Sequence, residues 1–263
     1  NKGGINLVVS YEAFAVKMLG GLRQDIIFAR HQREFGRPPG WLSVPVIATS
    51  HTWENGKNVL WHQPRSMAGP ILCDTTAVAR VVYPPDANAA VAALRAVYAS
   101  HGQIWVIVVP KRPVPDRFSG EQAERLVADG VIPVRRPDDA QILLTAIGGY
   151  QLTEVLHAAD RLVDHGVSVA VNCLVEPCRF RFARDEREAD AVASDDEVAE
   201  AFPPAIEPRV FVCHTRPGPM AGVLRRVDTG PRTTRFLGFI NRGGTFDVAG
   251  MLFANRTTWG HVV

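Results

Sequence analysis

The sequence offers a small set of side chains whose types suit work on an anionic, proton-exchanging ligand. His62 stands beside Gln63 in a loop with apolar neighbours. An imidazole near its unperturbed pKa can shuttle protons; the plainer reading is a hydrogen-bonded structural ring. Lys111 sits among prolines, Arg37 follows Gly36, and Asn58 lies in a short polar run. A lysine acting as a point charge, an arginine acting as a fork and an asparagine, each on a separate loop, can converge on a sugar phosphate. A lone loop lysine is otherwise a solvated one. Tyr11 follows the apolar run Ile5-Asn6-Leu7-Val8-Val9 and begins a helical pattern. That places it at a strand-to-helix junction, where ligands collect in open α/β sheets. Its plain alternative is an ordinary core aromatic.

The elements that must hold these residues alternate between strand and helix. Phe14, Met18, Leu22, Ile26 and Ala29 form a helical stripe between Tyr11 and about Gln32. Residues 41–49 (WLSVPVIAT) read as a buried strand, with Pro45 arguing for an edge or a bulge. Residues 78–83 form a β-rich run, and Pro84-Pro85-Asp86 supplies a turn and a helix start. An Ala-rich helix over 89–99 and a strand over 103–109 follow. After a Pro-rich passage and a short helix over 121–129, the pattern restarts. Residues 142–147 make a strand ending in Gly148-Gly149, then a helix spans 153–165 and a strand 167–175. Such a unit makes parallel, right-handed pairs. The charged stretch 184–200 reads as a surface helix or loop. Strands at 210–213 and 236–240 and a helix from about Asp247 complete a smaller layer. The fold class is α/β, with two doubly wound domains in series, 1–135 and 136–263, dividing at the second proline-containing stretch.

Composition narrows the function classes. The 263 residues carry a net charge of +2 with basic and acidic side chains interspersed, too mild to argue for nucleic acid. No apolar run reaches the roughly 18–20 residues of a membrane helix, and no signal-peptide pattern opens the chain. No membrane and no nucleic-acid partner is expected, and the location is expected to be cytoplasmic. Cys73, Cys173, Cys178 and Cys213 form no Cys-x-x-Cys pair and have no histidine at zinc-like spacing, so buried free thiols are expected and no metal ligands. The chain starts at Asn1 and enters an apolar run almost at once, so further sequence upstream is expected.

Several motifs in register go further. Ser10-Tyr11-Glu12-Ala13-Phe14, Thr49-Ser50-His51-Thr52-Trp53, Asn58 with His62-Gln63, and Pro84-Pro85-Asp86-Ala87-Asn88 follow one another in the order and spacing found in phosphoketolases. Lys111 with Pro113 and Pro115 resembles the Gly-Lys-x-Pro-x-Pro segment of that family. His214 with Pro217 and Thr245-Phe246-Asp247 also match. The chain thus resembles the last two of three phosphoketolase domains: a transketolase-like pyrimidine-binding domain and a C-terminal domain. The resemblance implies a thiamine-diphosphate and Mg2+ site whose diphosphate and metal ligands lie outside this chain, on a domain or subunit supplied upstream or in trans. The glutamate that bonds the pyrimidine ring in the superfamily would fall before Asn1. By the same resemblance Tyr11 packs on the cofactor pyrimidine and His62 is the acid-base residue. Lys111, Asn58, Arg37 and Gln63 would bind a sugar-phosphate substrate, in a homo-oligomer. The implied reaction cleaves a ketose phosphate of the xylulose 5-phosphate or fructose 6-phosphate type to acetyl phosphate and an aldose phosphate.

The sequence also departs from the family pattern. His-Gln-Asp-Pro becomes His62-Gln63-Pro64-Arg65, Lys57 replaces a histidine and Glu54 replaces an arginine. Losing a histidine removes a group that titrates near neutrality. Relatives with the Trp-Glu-Asn-Gly-Lys-Asn pattern of residues 53–58 carry a pentulose-phosphate epimerase label, which implies a divergent substrate or chemistry. The other alternative is a non-catalytic partner that stabilises another thiamine-diphosphate subunit.

Overall fold

The computed structural model describes residues 4–37, 39–49, 52–54, 67–74, 76–242, 244 and 246–263. The first sheet holds β1 (Val8–Tyr11), β2 (Val44–Thr49), β3 (Ala79–Val82) and β4 (Ile104–Val109). All pairs are parallel, in the order β1-β2-β4-β3. β4 reads Ile-Trp-Val-Ile-Val-Val and is buried over its first five residues, as a strand covered on both faces must be. The crossovers are α1 (Glu12–Ala15) with α2 (Leu19–Glu34), α3 (Ala68–Leu72) and α4 (Ala87–Ala99). Of the predicted stripe, Leu22, Ile26 and Ala29 are buried.

Pro45 is a correction. β2 is an interior strand, flanked by β1 and β4. Pro45 pairs with Trp105 on the β4 side, whereas the β1 pairing starts only at Val46. The missing N–H therefore falls near the strand start, beyond the reach of β1, where a proline is tolerated.

The second sheet contains β5 (Val131–Arg135), β6 (Ile142–Ile147), β7 (Val169–Leu174), β8 (Arg209–Cys213) and β9 (Thr234–Leu237), in the order β5-β7-β6-β8-β9. Only β5 runs antiparallel, against β7. The helices with this sheet are α6 (Gly149–Asp164), α7 (Asp195–Ala201), α8 (Pro217–Val223), α9 (Val248–Ala254) and α10 (Trp259–Val262). α5 (Gly120–Asp129) precedes β5, with a capping box between Ser119 and Gln122. β5, which ends at Arg135 where the division was expected, hydrogen-bonds into the second sheet. The charged stretch 184–200 is not wholly a surface feature: Glu188 is buried and accepts from the Thr76 N–H at 2.8 Å.

The two sheets share their cores. One apolar cluster joins Val46, Ile104 and Val106 to Leu143, Leu174 and Phe211. Another joins Val82, Trp105 and Ile107 to Leu144, Leu152 and Val155. All four cysteines are free; Cys173, Cys178 and Cys213 are buried as expected, but Cys73 is exposed. Burial raises the three buried thiols, Cys178 to about 12. No described helix is long and apolar enough to cross a membrane.

Candidate functional site

Tyr11 ends β1, and its extended backbone (φ −73°, ψ 146°) caps α1. It thus lies at the carboxyl edge of a parallel sheet, as the strand-then-helix pattern predicts. Tyr11 is 38% exposed. The ammonium of Lys111, two residues beyond the end of β4, stands 4.9 Å from the ring centroid, a cation–π geometry. Phe14 meets Tyr11 edge-on at 5.9 Å. Two of the predicted residues therefore converge from separate strands of one sheet.

Lys111 is held by its loop. Glu54 Oε1 accepts from the backbone N–H of Lys111 at 2.7 Å and of Arg112 at 3.2 Å. The Tyr150 hydroxyl, from α6, also donates to Glu54. Burial and then that hydrogen bond push the Tyr150 phenol well above its ordinary range, so it stays a donor. Asp86 anchors the other end of the loop, accepting from Ala89, Arg117 and Phe118 N–H at 2.8–3.0 Å. The Pro-Pro-Asp turn is thus a brace for the loop that carries Lys111.

Arg37 does not join this group. It follows α2, which starts near Tyr11 and descends 16 residues, about 24 Å of helix. β2 runs parallel to β1, so the chain must return to the opposite edge of the sheet before β2 begins. Arg37 lies on that return and is exposed. Asn58, His62 and Gln63, together with the altered Lys57, lie outside the described residues. Among the described residues no group of three His, Cys, Asp or Glu could hold a metal ion.

Next to Tyr11 in the chain, Glu12 belongs to a buried cluster whose members the sequence motifs include without assigning them a role. Glu12 is 1% exposed and His214, which follows β8, is 5% exposed. His214 Nε2 is 3.1 Å from both Glu12 carboxylate oxygens. The Thr52 hydroxyl donates to Glu12 at 2.9 Å and its N–H at 3.4 Å. The Trp53 indole N–H donates to the His214 carbonyl at 3.0 Å. Tyr83, at the end of β3, packs its ring 5.7 Å from the imidazole. Burial and then the Glu12 charge push the Tyr83 phenol far up. The signal available was a carboxylate inside an otherwise apolar stretch and a histidine directly after an apolar strand.

Comparison with known proteins agrees with this fold. Residues 1–100 match the family model described as D-xylulose 5-phosphate/D-fructose 6-phosphate phosphoketolase. The chain is 28% identical over 174 residues to a "Probable phosphoketolase" of Streptomyces avermitilis, covering 64% of this chain and 22% of that protein. It is 26% identical over 221 residues to one of Lactococcus lactis, covering 81% and 27%. The chain is thus similar to phosphoketolases in sequence and to transketolases in fold. It spans about a quarter of the length of those relatives. The fold of the chain superposes on a transketolase of Leishmania mexicana with TM-score 0.73 and 18% identity, over 98% of this chain and 33% of that one. It also superposes on a chain titled "Split gene transketolase, inactive beta4 tetramer", with TM-score 0.61 and 16% identity, over 98% and 74%.

Proposed function

We propose that the chain supplies the pyrimidine-facing half of a thiamine-diphosphate site and the substrate-binding Lys111 of a phosphoketolase-like enzyme. The observation that carries this is the half-exposed Tyr11 ring at the carboxyl edge of the first sheet, with the Lys111 ammonium above it. An aromatic face there adds stacking worth about 0.5–1.5 kcal/mol beyond burial. When bound, thiamine diphosphate would supply the carbanion chemistry needed to break a bond beside a ketose carbonyl. Tyr11 would orient the ring, and Lys111 would hold the phosphate of a xylulose 5-phosphate or fructose 6-phosphate type of substrate. The reading further assigns Asn58 and Gln63 to the sugar and proton transfer to His62. Mg2+ and the diphosphate would be held by a domain or subunit outside this chain, in a cytoplasmic homo-oligomer. The products would be acetyl phosphate and an aldose phosphate.

The test is cofactor binding in the assembled protein. Tyr11→Phe should keep thiamine-diphosphate affinity, and Tyr11→Ala should weaken it several-fold without unfolding the apo protein. Unchanged affinity in Tyr11→Ala removes the platform reading. The chain alone, given thiamine diphosphate and Mg2+, should not turn over ketose phosphates, and measured turnover would contradict the need for a second part.

A second reading is a non-catalytic partner that stabilises another thiamine-diphosphate subunit. The observation favouring it is Glu54. Where the family carries an arginine, this carboxylate accepts from the Lys111–Arg112 backbone and from Tyr150, a structural task. An intact assembly that binds the cofactor but does not cleave sugar phosphates would select this reading, or a divergent pentulose-phosphate chemistry of the epimerase-labelled kind.

A further inference from the structure

We infer that Glu12, Thr52 and His214 form a positioning set that fixes Tyr11 at the mouth of the site, so that a residue delivered by the second sheet controls the aromatic face on the first. The inference rests on the reading of Tyr11 as the cofactor platform for its functional meaning. Its structural content is independent of that reading.

A carboxylate taken out of water is costly unless its oxygens are matched. Glu12 is nevertheless placed at the first position of a four-residue helix, next to a tyrosine that faces outward. Nothing in helix formation demands a buried acid there, since a dipole contact is served as well by an exposed one. The burial is matched instead by donors from two directions. Thr52 comes from the segment after β2, three residues beyond Thr49, which pairs with Tyr11 in the sheet. His214 comes from the end of β8, with its own N–H on the Ile147 carbonyl at 2.9 Å. The imidazole cannot swing away easily. The Trp53 indole N–H donates to the His214 backbone carbonyl and its ring meets the imidazole edge-on at 6.4 Å, while the Tyr83 ring lies 5.7 Å from it.

Consecutive side chains of an extended segment point to opposite sides. Tyr11 has extended backbone and Glu12 follows it directly, so fixing the buried acid fixes the direction of the exposed ring. None of the three residues needs to touch a ligand. They act through Tyr11, and the expected consequence is coupling between His214 and Tyr11 that does not depend on contact between them.

The experiment reads Tyr11 directly. The chain contains four tyrosines, so 3-fluorotyrosine labelling gives a small spectrum in which Tyr11→Phe identifies the Tyr11 signal. In His214→Ala that signal should shift or broaden while the chain stays folded, and His214→Gln, which keeps a donor for Glu12, should restore it. If His214→Ala does not fold, Thr52→Val removes one donor at nearly constant shape and should move the same signal. A Tyr11 signal unmoved in the folded variants overturns the inference. In the assembled protein, His214→Ala should weaken thiamine-diphosphate binding on the order of tenfold, and this loss should vanish in a Tyr11→Ala background, as expected for coupled residues. Full additivity overturns the positioning role while leaving Tyr11 as platform. If Tyr11→Ala itself has no effect on the cofactor, the platform reading fails and the fluorine signal alone decides the positioning set.

Discussion

The strand β3 meets the second sheet at both its ends, and the two contacts are built differently. At its start, Arg80 pairs with Glu176, whose side chain is fully buried, and lies flat over Trp105 at 3.6 Å. Just before it, the Thr76 N–H donates to Glu188, which also binds Arg184 at 2.9 Å. Even the cleft beside this contact, about 390 Å³, is lined by arginines largely matched by acids: Arg30 and Arg187 reach Glu34, and Arg184 reaches Glu188. At the end of β3 the pattern changes. The Tyr83 hydroxyl, the Gln151 amide and one oxygen of Glu54 are buried with no hydrogen-bond partner among the described residues. Charges matched pair by pair hold two sheets together. Open polar groups occur at both ends, the Thr76 hydroxyl and Arg179 Nε near the start and the Tyr83 hydroxyl and Gln151 amide at the end, so the ends differ in their matched ion pairs.

The comparison is most exposed to Arg80→Ala. Removing the guanidinium leaves Glu176 buried without its ion partner, and breaking such a pair costs about 3–5 kcal/mol. Urea unfolding of the variant should show a loss of that size. A loss below about 1 kcal/mol would mean that the start of β3 is not the clamp described.

Acid should weaken the same contact. Burial by itself would raise the Glu188 carboxyl, but hydrogen bonds from Arg184 and from the Thr76 N–H outweigh it and bring it to about 2 from an ordinary 4.5. The folded value is depressed, so the stabilisation is complete above the unfolded value and is lost as pH falls from about 4.5 towards about 2. After solvent screening of the partly exposed Arg184 partner, the amount is on the order of 1–3 kcal/mol. Unfolding free energies of the chain and of Glu188→Gln, measured across that window, should converge at low pH. Parallel curves would show that Glu188 is not the titrating group.

Gly149 tests the end of β3 from the other side. A Cβ there would lie 2.6 Å from the Pro85 carbonyl oxygen and 3.2 Å from Pro110. Gly149→Ala should therefore push the two sheets apart locally, with an overpacking cost of about 1–3 kcal/mol and a movement of the Lys111 loop visible in a crystal structure of the variant. The smallest effect belongs to Tyr83→Phe. Its hydroxyl has no described partner, so deleting it should change stability by less than about 0.5 kcal/mol or raise it slightly. A loss above about 1 kcal/mol in calorimetry would place a bound partner on that hydroxyl.

Much of this was legible in the sequence. Each predicted strand is present within a few residues, because a run such as Ile104–Val109 admits little besides a doubly covered strand. Tyr11 and Lys111 were named from their motifs and meet in space. Arg37 does not meet them within this chain, because motif order carries no information about which edge of a sheet a loop occupies. The motifs contain Glu12 and His214 but not their contact across 202 residues, because no local pattern encodes that distance. Pro45 was read as an edge signal although only the start of its strand is open.

The sequence by itself determined the alternation of strands and helices, the two parallel-sheet units and the resemblance that points to a sugar-phosphate enzyme. Local hydrophobic period and turn chemistry act over a few residues, and the sequence displays them directly. Tertiary structure alone decided that the two sheets share continuous cores and that β5 joins the second sheet. It alone decided that Lys111 stands over Tyr11 and that a histidine after β8 reaches an acid after β1. Those facts arise where chain segments far apart in sequence satisfy each other's buried polar groups. The need to match a buried charge is fixed by physics, but the residue that matches it is fixed only when the fold closes.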